Sequence, residues 1–137
     1  MLVDLDATAL PTGALSTWPN AGSLGGNFVS AGTVVPVVNA ISTGAGPVTA
    51  VPLVANGFFA GPGAPASITA NSASRSVEVW AHNPTVEAEE TLVAWSRRGG
   101  PNGSNWSFNF GNNAVYGALG GWGTGDAGWG TNPTAAT

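Results

Sequence analysis

Apolar and polar positions alternate at a period of two in several short windows of this chain. In Arg75-Ser-Val-Glu-Val-Trp-Ala-His-Asn-Pro84, residues Val77, Val79 and Ala81 share one side and Ser76, Glu78 and Trp80 the other. Glu90-Thr-Leu-Val-Ala-Trp-Ser-Arg-Arg98 answers it across a polar, proline-containing turn, so the two runs are expected to be antiparallel neighbours. Leu2-Val-Asp-Leu-Asp-Ala7 sets Val3, Leu5 and Ala7 against Asp4 and Asp6 and predicts a first strand. Trp106-Ser-Phe-Asn-Phe110 alternates aromatic with polar residues, the sharpest such signal in the chain. Ala114-Val-Tyr-Gly-Ala-Leu119 is expected to pair with it across Gly111-Asn112-Asn113, residues that tolerate positive φ.

Thr33-Val-Val-Pro-Val-Val38 and Val48-Thr-Ala-Val-Pro-Leu-Val54 are also β-rich, yet each holds an internal proline. Proline donates nothing to a ladder, which assigns both runs to sheet edges or bulges. Pro11, Thr12-Gly13, Pro19-Asn20-Ala21-Gly22, Gly25-Gly26-Asn27 and the stretch from Pro62 to Pro65 read as turns and loops. No window sustains a 3.6-residue apolar period, and Pro65-Ala-Ser-Ile-Thr-Ala70 is too short and interrupted to nucleate a helix. Short strands joined by Gly- and Pro-rich turns predict an all-β fold, an antiparallel β-sandwich or jelly roll.

Composition narrows the function. The 137 residues suit one domain, and 43% hydrophobic content is enough for a core. Charged residues make up only 7%, against roughly 25% in ordinary soluble domains, so the surface is built of Ser, Thr, Asn, Gly and backbone. Such a surface has little repulsion to keep chains apart and is permissive of assembly. The chain has no Lys, its Lys and Arg total 3, and its net charge is −4. Nucleic-acid binding depends on cations that neutralise phosphates, so neither nucleic acid nor an anionic membrane is an expected partner. The absence of Cys removes disulfides, thiolate metal sites and a Cys nucleophile. No apolar run approaches the ~20 residues of a membrane-spanning helix, so no membrane insertion is expected. Met1-Leu-Val-Asp-Leu-Asp6 lacks the basic and apolar regions of a signal peptide.

The order Leu2-Val-Asp-Leu-Asp-Ala7, Leu15-Ser-Thr-Trp18 with Asn20-Ala-Gly-Ser23, Ser76-Val-Glu-Val-Trp80 and Glu90-Thr-Leu-Val-Ala-Trp95 resembles a laminin-G-like (LamG-like) domain of the concanavalin A-like jelly-roll superfamily. The resemblance runs through most of the chain. It implies a single domain over 1–137, an extracellular or cell-surface setting, and calcium as the cofactor such domains commonly hold. Domains of this kind generally continue into further strands, so the resemblance also implies the N-terminal part of a longer jelly roll. Such a part leaves ladder edges open for a complementing chain or a second copy.

The residues that could carry chemistry each have a duller alternative. Gly121-Trp-Gly-Thr-Gly-Asp126 and Gly128-Trp-Gly-Thr131 echo each other, and their glycine flanks let Trp122 and Trp129 stand on loops. An indole face with Asp126, Asn132 or Thr124 nearby has the make-up of a carbohydrate site, although either Trp could equally fill a gap over a Gly-rich core. Trp18, Trp80 and Trp95 are expected to be structural. Calcium would draw on oxygen donors such as Asp4, Asp6, Asn56 and Asp126, though no calcium-loop pattern is present and Asp4 and Asp6 would also serve as solvated rim residues. Glycosidases of this fold set paired carboxylates on one strand as Glu-x-Asp-x-x-Glu, a pattern this chain lacks. Glu87, Glu89 and Glu90 read as a solvated turn, and Glu78 stands alone on its strand. His82, the one histidine, is expected to be a turn or interface residue, with no nucleophile elbow to make it catalytic. Asn102-Gly-Ser104 and Asn105-Trp-Ser107 match the N-glycosylation acceptor pattern, as chance alone would allow in a chain this rich in Asn and Ser.

Two functional readings follow. One is a non-catalytic recognition module for glycan or protein; the other is a structural subunit of a layer, shell or filament that assembles by strand pairing. A glycoside hydrolase-like jelly roll stands third.

Overall fold

The computed structural model describes residues 1–69, 74–87, 90–95, 106–112, 119–120 and 128–130. The chain falls into two units, Met1–Pro65 and Ala66–Thr137. The fold is all-β, with antiparallel sheets and one turn of helix among the described residues.

The first unit holds β1 (Gly13–Ala14), β2 (Thr17–Pro19), β3 (Asn27–Ser30), β4 (Val37–Thr43), β5 (Gly46–Ala50) and β6 (Phe59–Ala60). They form two three-stranded sheets, ordered β1-β4-β5 and β2-β3-β6. The prolines set the ends of β4 and β5. The predicted run over 33–38 becomes a strand only after Pro36, and the run over 48–54 closes before Pro52, because neither proline can donate to a ladder. The expected edge position fails for the first run, since Val37 and Val38 lie in β4, the middle strand, and only Pro36 stays outside the ladder. Pro47 does lie within β5, where it is tolerated because β5 is an edge strand. β4 and β5 form a hairpin closed by Thr43 opposite Gly46. The left-handed step falls on Gly46, at φ 114°, which only glycine takes without strain. The Thr43 hydroxyl donates to the Gly46 carbonyl at 2.7 Å and accepts from the Ala45 N–H at 3.3 Å, which fastens the turn from within.

Leu2–Ala7 is not a regular strand. Backbone carbonyls from Met1 to Asp4 do accept ladder-like bonds, from Ala21 to Asp4, Ser23 to Met1 and Leu24 to Leu2. The Asn20 side chain takes the remaining place: its Oδ1 accepts from the N–H groups of Asp4 (2.8 Å) and Gly22 (2.9 Å). A side-chain amide thus substitutes for a strand's backbone, and regular pairing stops there.

Burial in this unit centres on Val38, at 1% exposure, with Leu15 and Pro36 beside it. The Leu15 N–H donates to the Pro36 carbonyl at 2.8 Å, which ties β1 to the start of β4. On the β2-β3-β6 sheet, Trp18 lies opposite Phe28 and meets Phe59 edge to face at 5.6 Å. Gly32 lies under the Asn56 carbonyl so closely that any side chain there would overlap it.

The second unit begins with α1 (Ala66–Thr69), a single turn where the sequence predicted no helix. Pro65 precedes it, and its fixed φ suits a helix entry. Strands β7 (Thr91–Trp95), β8 (Trp106–Asn109) and β9 (Leu119–Gly120) form a sheet in chain order. Of the predicted pairing of the 106–110 run with Ala114–Leu119, the described residues include only the end, with Phe108 opposite Leu119 and Ser107 opposite Gly120; residues 114–118 lie outside them. The run Ser76–Trp80 keeps its alternation, with Val77 and Val79 half-buried and Ser76, Glu78 and Trp80 exposed. It is not, however, the ladder partner of β7, whose neighbour is β8, with Trp95 opposite Trp106.

Candidate functional site

Four polar and aromatic arrangements are present in the described residues, and they differ in how much of their chemistry is already engaged. The first is the pair Glu78 and Trp80, two residues apart on one side of an extended segment. Trp80 is 93% exposed, and its indole Nε1–H donates to Glu78 Oε1 at 2.9 Å. The bond fixes the ring relative to the chain and leaves both indole faces in solvent. The second Glu78 oxygen has no partner among the described residues. An aromatic face with a hydrogen-bond acceptor at its edge suits a sugar ring, whose C–H face stacks while a hydroxyl bonds the carboxylate.

The second arrangement is Trp129 with Phe110. Their rings meet edge to face at 5.6 Å, and Trp129 remains 39% exposed. Trp129 therefore packs on one neighbour and still presents surface. Trp122, Asp126 and Asn132, predicted to share its site, lie outside the described residues, as do Thr124, Glu89, Asn102 and Asn105.

The third is a carboxylate-centred turn. Glu90 Oε2 accepts from Asn83 Nδ2 at 2.6 Å and from the Glu87 N–H at 3.1 Å. Asn83 Nδ2 also reaches the Phe110 carbonyl at 3.4 Å, and the Phe110 N–H donates to the Glu90 carbonyl at 2.8 Å. The sequence predicted a solvated charge cluster here; Glu90 is instead half-buried and organises the turn that leads into β7. His82, just before it, is exposed.

The fourth is an aromatic group along β7 and β8. Trp95 and Trp106 lie 5.3 Å apart at 45°, and the Arg75 guanidinium carbon is 5.6 Å from the Trp106 ring centroid, in cation–π range. Arg75 Nε is buried without a hydrogen-bond partner. Beside this group Asn109, only 6% exposed, accepts from the Thr91 hydroxyl at 2.8 Å and donates to Ser107 Oγ at 3.3 Å.

Of the predicted calcium donors, Asp126 lies outside the described residues, and among the others only the Asp6 carboxylate has hydrogen-bond partners. Asp6 Oδ1 accepts from the Thr8 N–H at 2.8 Å and from the Thr8 hydroxyl at 2.7 Å. These two bonds, the backbone one foremost, hold the Asp6 carboxyl below its ordinary value. Asp4 uses its backbone N–H and C=O to join residues 20–21. Asn56 is a turn residue: at φ 64° it occupies the left-handed region, and Gly57 N–H donates back to Val54 at 2.8 Å. No hydrogen bond joins Asn56 to Asp4 or Asp6, and the described residues contain no group of three or more His, Cys, Asp or Glu side chains able to hold a metal.

No protein-family model matches this chain, and neither a curated protein nor a solved structure matches it. Trp80 stands apart from the other described indoles. Trp18 donates its Nε1–H to the Asp6 carbonyl at 3.2 Å and packs on Phe59, and Trp95, Trp106 and Trp129 each lie against another ring. Trp80 was expected to be structural. Its alternation with Val77 and Val79 was the signal that could have placed it outside.

Proposed function

We propose that this chain is a non-catalytic, extracellular recognition module of laminin-G-like, sandwich architecture that binds carbohydrate on an exposed indole. One observation carries the reading: Trp80 projects into solvent with its N–H held by the Glu78 carboxylate. An exposed Trp normally costs solubility and contributes nothing to a core, so its presence on a fixed platform is what a stacking site requires. The held ring loses little rotational freedom when a ligand arrives, which favours affinity. The Trp122 and Trp129 loops supply further aromatic surface in the same proposal, with Asp126 and Asn132 as hydroxyl partners. The antiparallel all-β character is in keeping with the laminin-G-like assignment. The Glu90 carboxylate, which accepts from Asn83 and Glu87, serves the turn before β7 in this reading.

A glycan array tests this. Wild type is expected to bind at least one neutral glycan class, and Trp80→Ala to weaken that binding about 10- to 100-fold, as removal of a central aromatic anchor does. Trp122→Ala and Trp129→Ala report whether the Gly-rich loops share the site. A wild type that binds nothing, or a Trp80→Ala variant that binds equally well, sinks the proposal.

The structural-subunit reading has its own supporting observation, the exposed apolar edge of the β1-β4-β5 sheet.

A further inference from the structure

We infer that the β5 edge is a self-association surface and that its occupant is β5 of a second copy, paired antiparallel about a two-fold axis through Thr49. This inference is independent of the carbohydrate reading, since it rests wholly on the first unit.

Among the described residues, β5 is the outer strand of its sheet. Beyond Val38 the β4–β5 hairpin is poorly covered. Val37 is 47% exposed and Val48 44%, both on the side that also carries Ile41 and Ala50, while Ala40, Ser42 and Pro47 are exposed on the other. A two-stranded ribbon open on both faces is marginal by itself and gains from additional strands.

The ladder pattern shows which groups face outward. Pro47, opposite Ser42, has no N–H and so occupies a position whose N–H side points away from β4. Antiparallel pairs alternate, so Val48 bonds inward to Ile41, and Thr49, opposite Ala40, points its N–H and C=O to the open side. Val51, two residues further, continues that outward side, and Pro52 ends it.

These two prolines leave one best self-pairing register. With Thr49 facing Thr49 of the second copy, each Thr49 N–H meets the other's carbonyl, and each Val51 N–H meets the other's Pro47 carbonyl. All four available donors are then used, and proline supplies only acceptors. A two-residue slip one way sets Thr49 opposite a Pro47 that cannot donate, and a slip the other way carries the ladder onto Leu53, beyond the end of β5 and past Pro52. In the matched register Val48 lies beside Ala50 of the second copy, so the Val37–Ile41–Val48 side becomes one apolar strip across both chains.

Charge decides between a second copy and an unrelated chain. Residues 7–65 contain no Asp, Glu, Lys, Arg or His. Natural edges are usually guarded by charged side chains, above all Lys, and this one has none. A neutral surface meets its own copy without Coulomb repulsion, and antiparallel strand pairing is self-complementary under two-fold symmetry. Nothing on this edge selects a charged partner.

Size-exclusion chromatography with light scattering, at a series of concentrations, reads the mass directly. The full chain is expected to move from 13.5 kDa toward twice that value as concentration rises. Val48→Lys, which charges an already exposed position, is expected to stay monomeric with an unchanged circular-dichroism spectrum. The chain has no Cys, so Thr49→Cys can cross-link only to itself. Opposed residues of this kind have Cα atoms about 5.5 Å apart, within disulfide reach. Thr49→Cys should give a covalent dimer under mild oxidation, and Gly63→Cys, on an exposed loop, should not. A wild type that stays monomeric throughout overturns the inference and leaves the edge to another chain. An assembly unaffected by Val48→Lys, or Thr49→Cys and Gly63→Cys cross-linking alike, also overturns it by moving the contact elsewhere.

Discussion

Val37 and Val38 are adjacent, identical in chemistry and on opposite sides of β4, so replacing each in turn isolates what burial contributes to the first unit. Val38 is 1% exposed and lies opposite Gly13 of β1; Val37 is 47% exposed and lies opposite Ala14. Val38→Ala removes two buried methyl groups, about 1.6 kcal/mol of transfer free energy at ~0.8 kcal/mol per group. The residual cavity raises the cost to roughly 2–3 kcal/mol, because β1, Leu15 and Pro36 close only partly over the gap. Val37→Ala loses the same β propensity but little burial, and its cost should stay near 0.5 kcal/mol. The difference, about 1.5–2.5 kcal/mol, corresponds to roughly 1 M in urea midpoint for a slope of 1–3 kcal/mol/M. Urea unfolding followed by far-ultraviolet circular dichroism in dilute solution, where association does not contribute, reads both variants. Equal midpoints would refute the assignment of Val38 to the core side of β4, and with it the face assignment used for the β5 edge.

Two further outcomes follow from individual hydrogen bonds. Asp6 has its carboxyl held below the ordinary 3.8 by Thr8, so its stabilising contribution is complete above that pH and is lost as the pH falls through the lower folded value. Carbon-detected NMR titration should place the Asp6 midpoint below 3.8, and Thr8→Ala should raise it only part-way, because the backbone N–H remains; full restoration would contradict the ordering of the two bonds. Asn109→Ala removes the buried acceptor of the Thr91 hydroxyl and should destabilise the second unit by about 1–3 kcal/mol, whereas Ser76→Ala, on an exposed position, should change it by less than about 0.5 kcal/mol in the same urea assay.

Much of the architecture was legible because strand-forming windows state their period locally. The strand at Trp106–Asn109, its pairing with Leu119 and the edge position of the run that starts at Val48 follow from rules that need no tertiary knowledge. What was not legible depended on partners distant in the chain. Ser76–Trp80 reads as a neighbour of Thr91–Trp95, but β8 takes that ladder position, and alternation cannot name a partner. Asn39 to Thr43 went unnoticed as strand because Asn, Ala and Ser have little β propensity; the Thr-Gly-Ala-Gly turn after them was the available signal. Asn20 replaces a strand's backbone bonds at Leu2–Ala7, a substitution that hydrophobic pattern does not encode. In the candidate site, the side of the strand that carries Trp80 was readable, but its exposure was not, since composition favours burying an indole. Glu90 shows the reverse case: a charge in a turn reads as solvated until its two donors are known.

The hairpin from Val37 to Ala50 also bears on how the first unit acquires its structure. Every bond inside it spans few residues, and its turn is fastened by Thr43 and a left-handed glycine without help from elsewhere. Hairpins of this kind close in about 1–10 μs, long before contacts of high sequence separation. β1 must return across more than twenty intervening residues to meet Val38, so it is a late arrival on a template already formed. Until it docks, Val38 is unshielded on that side.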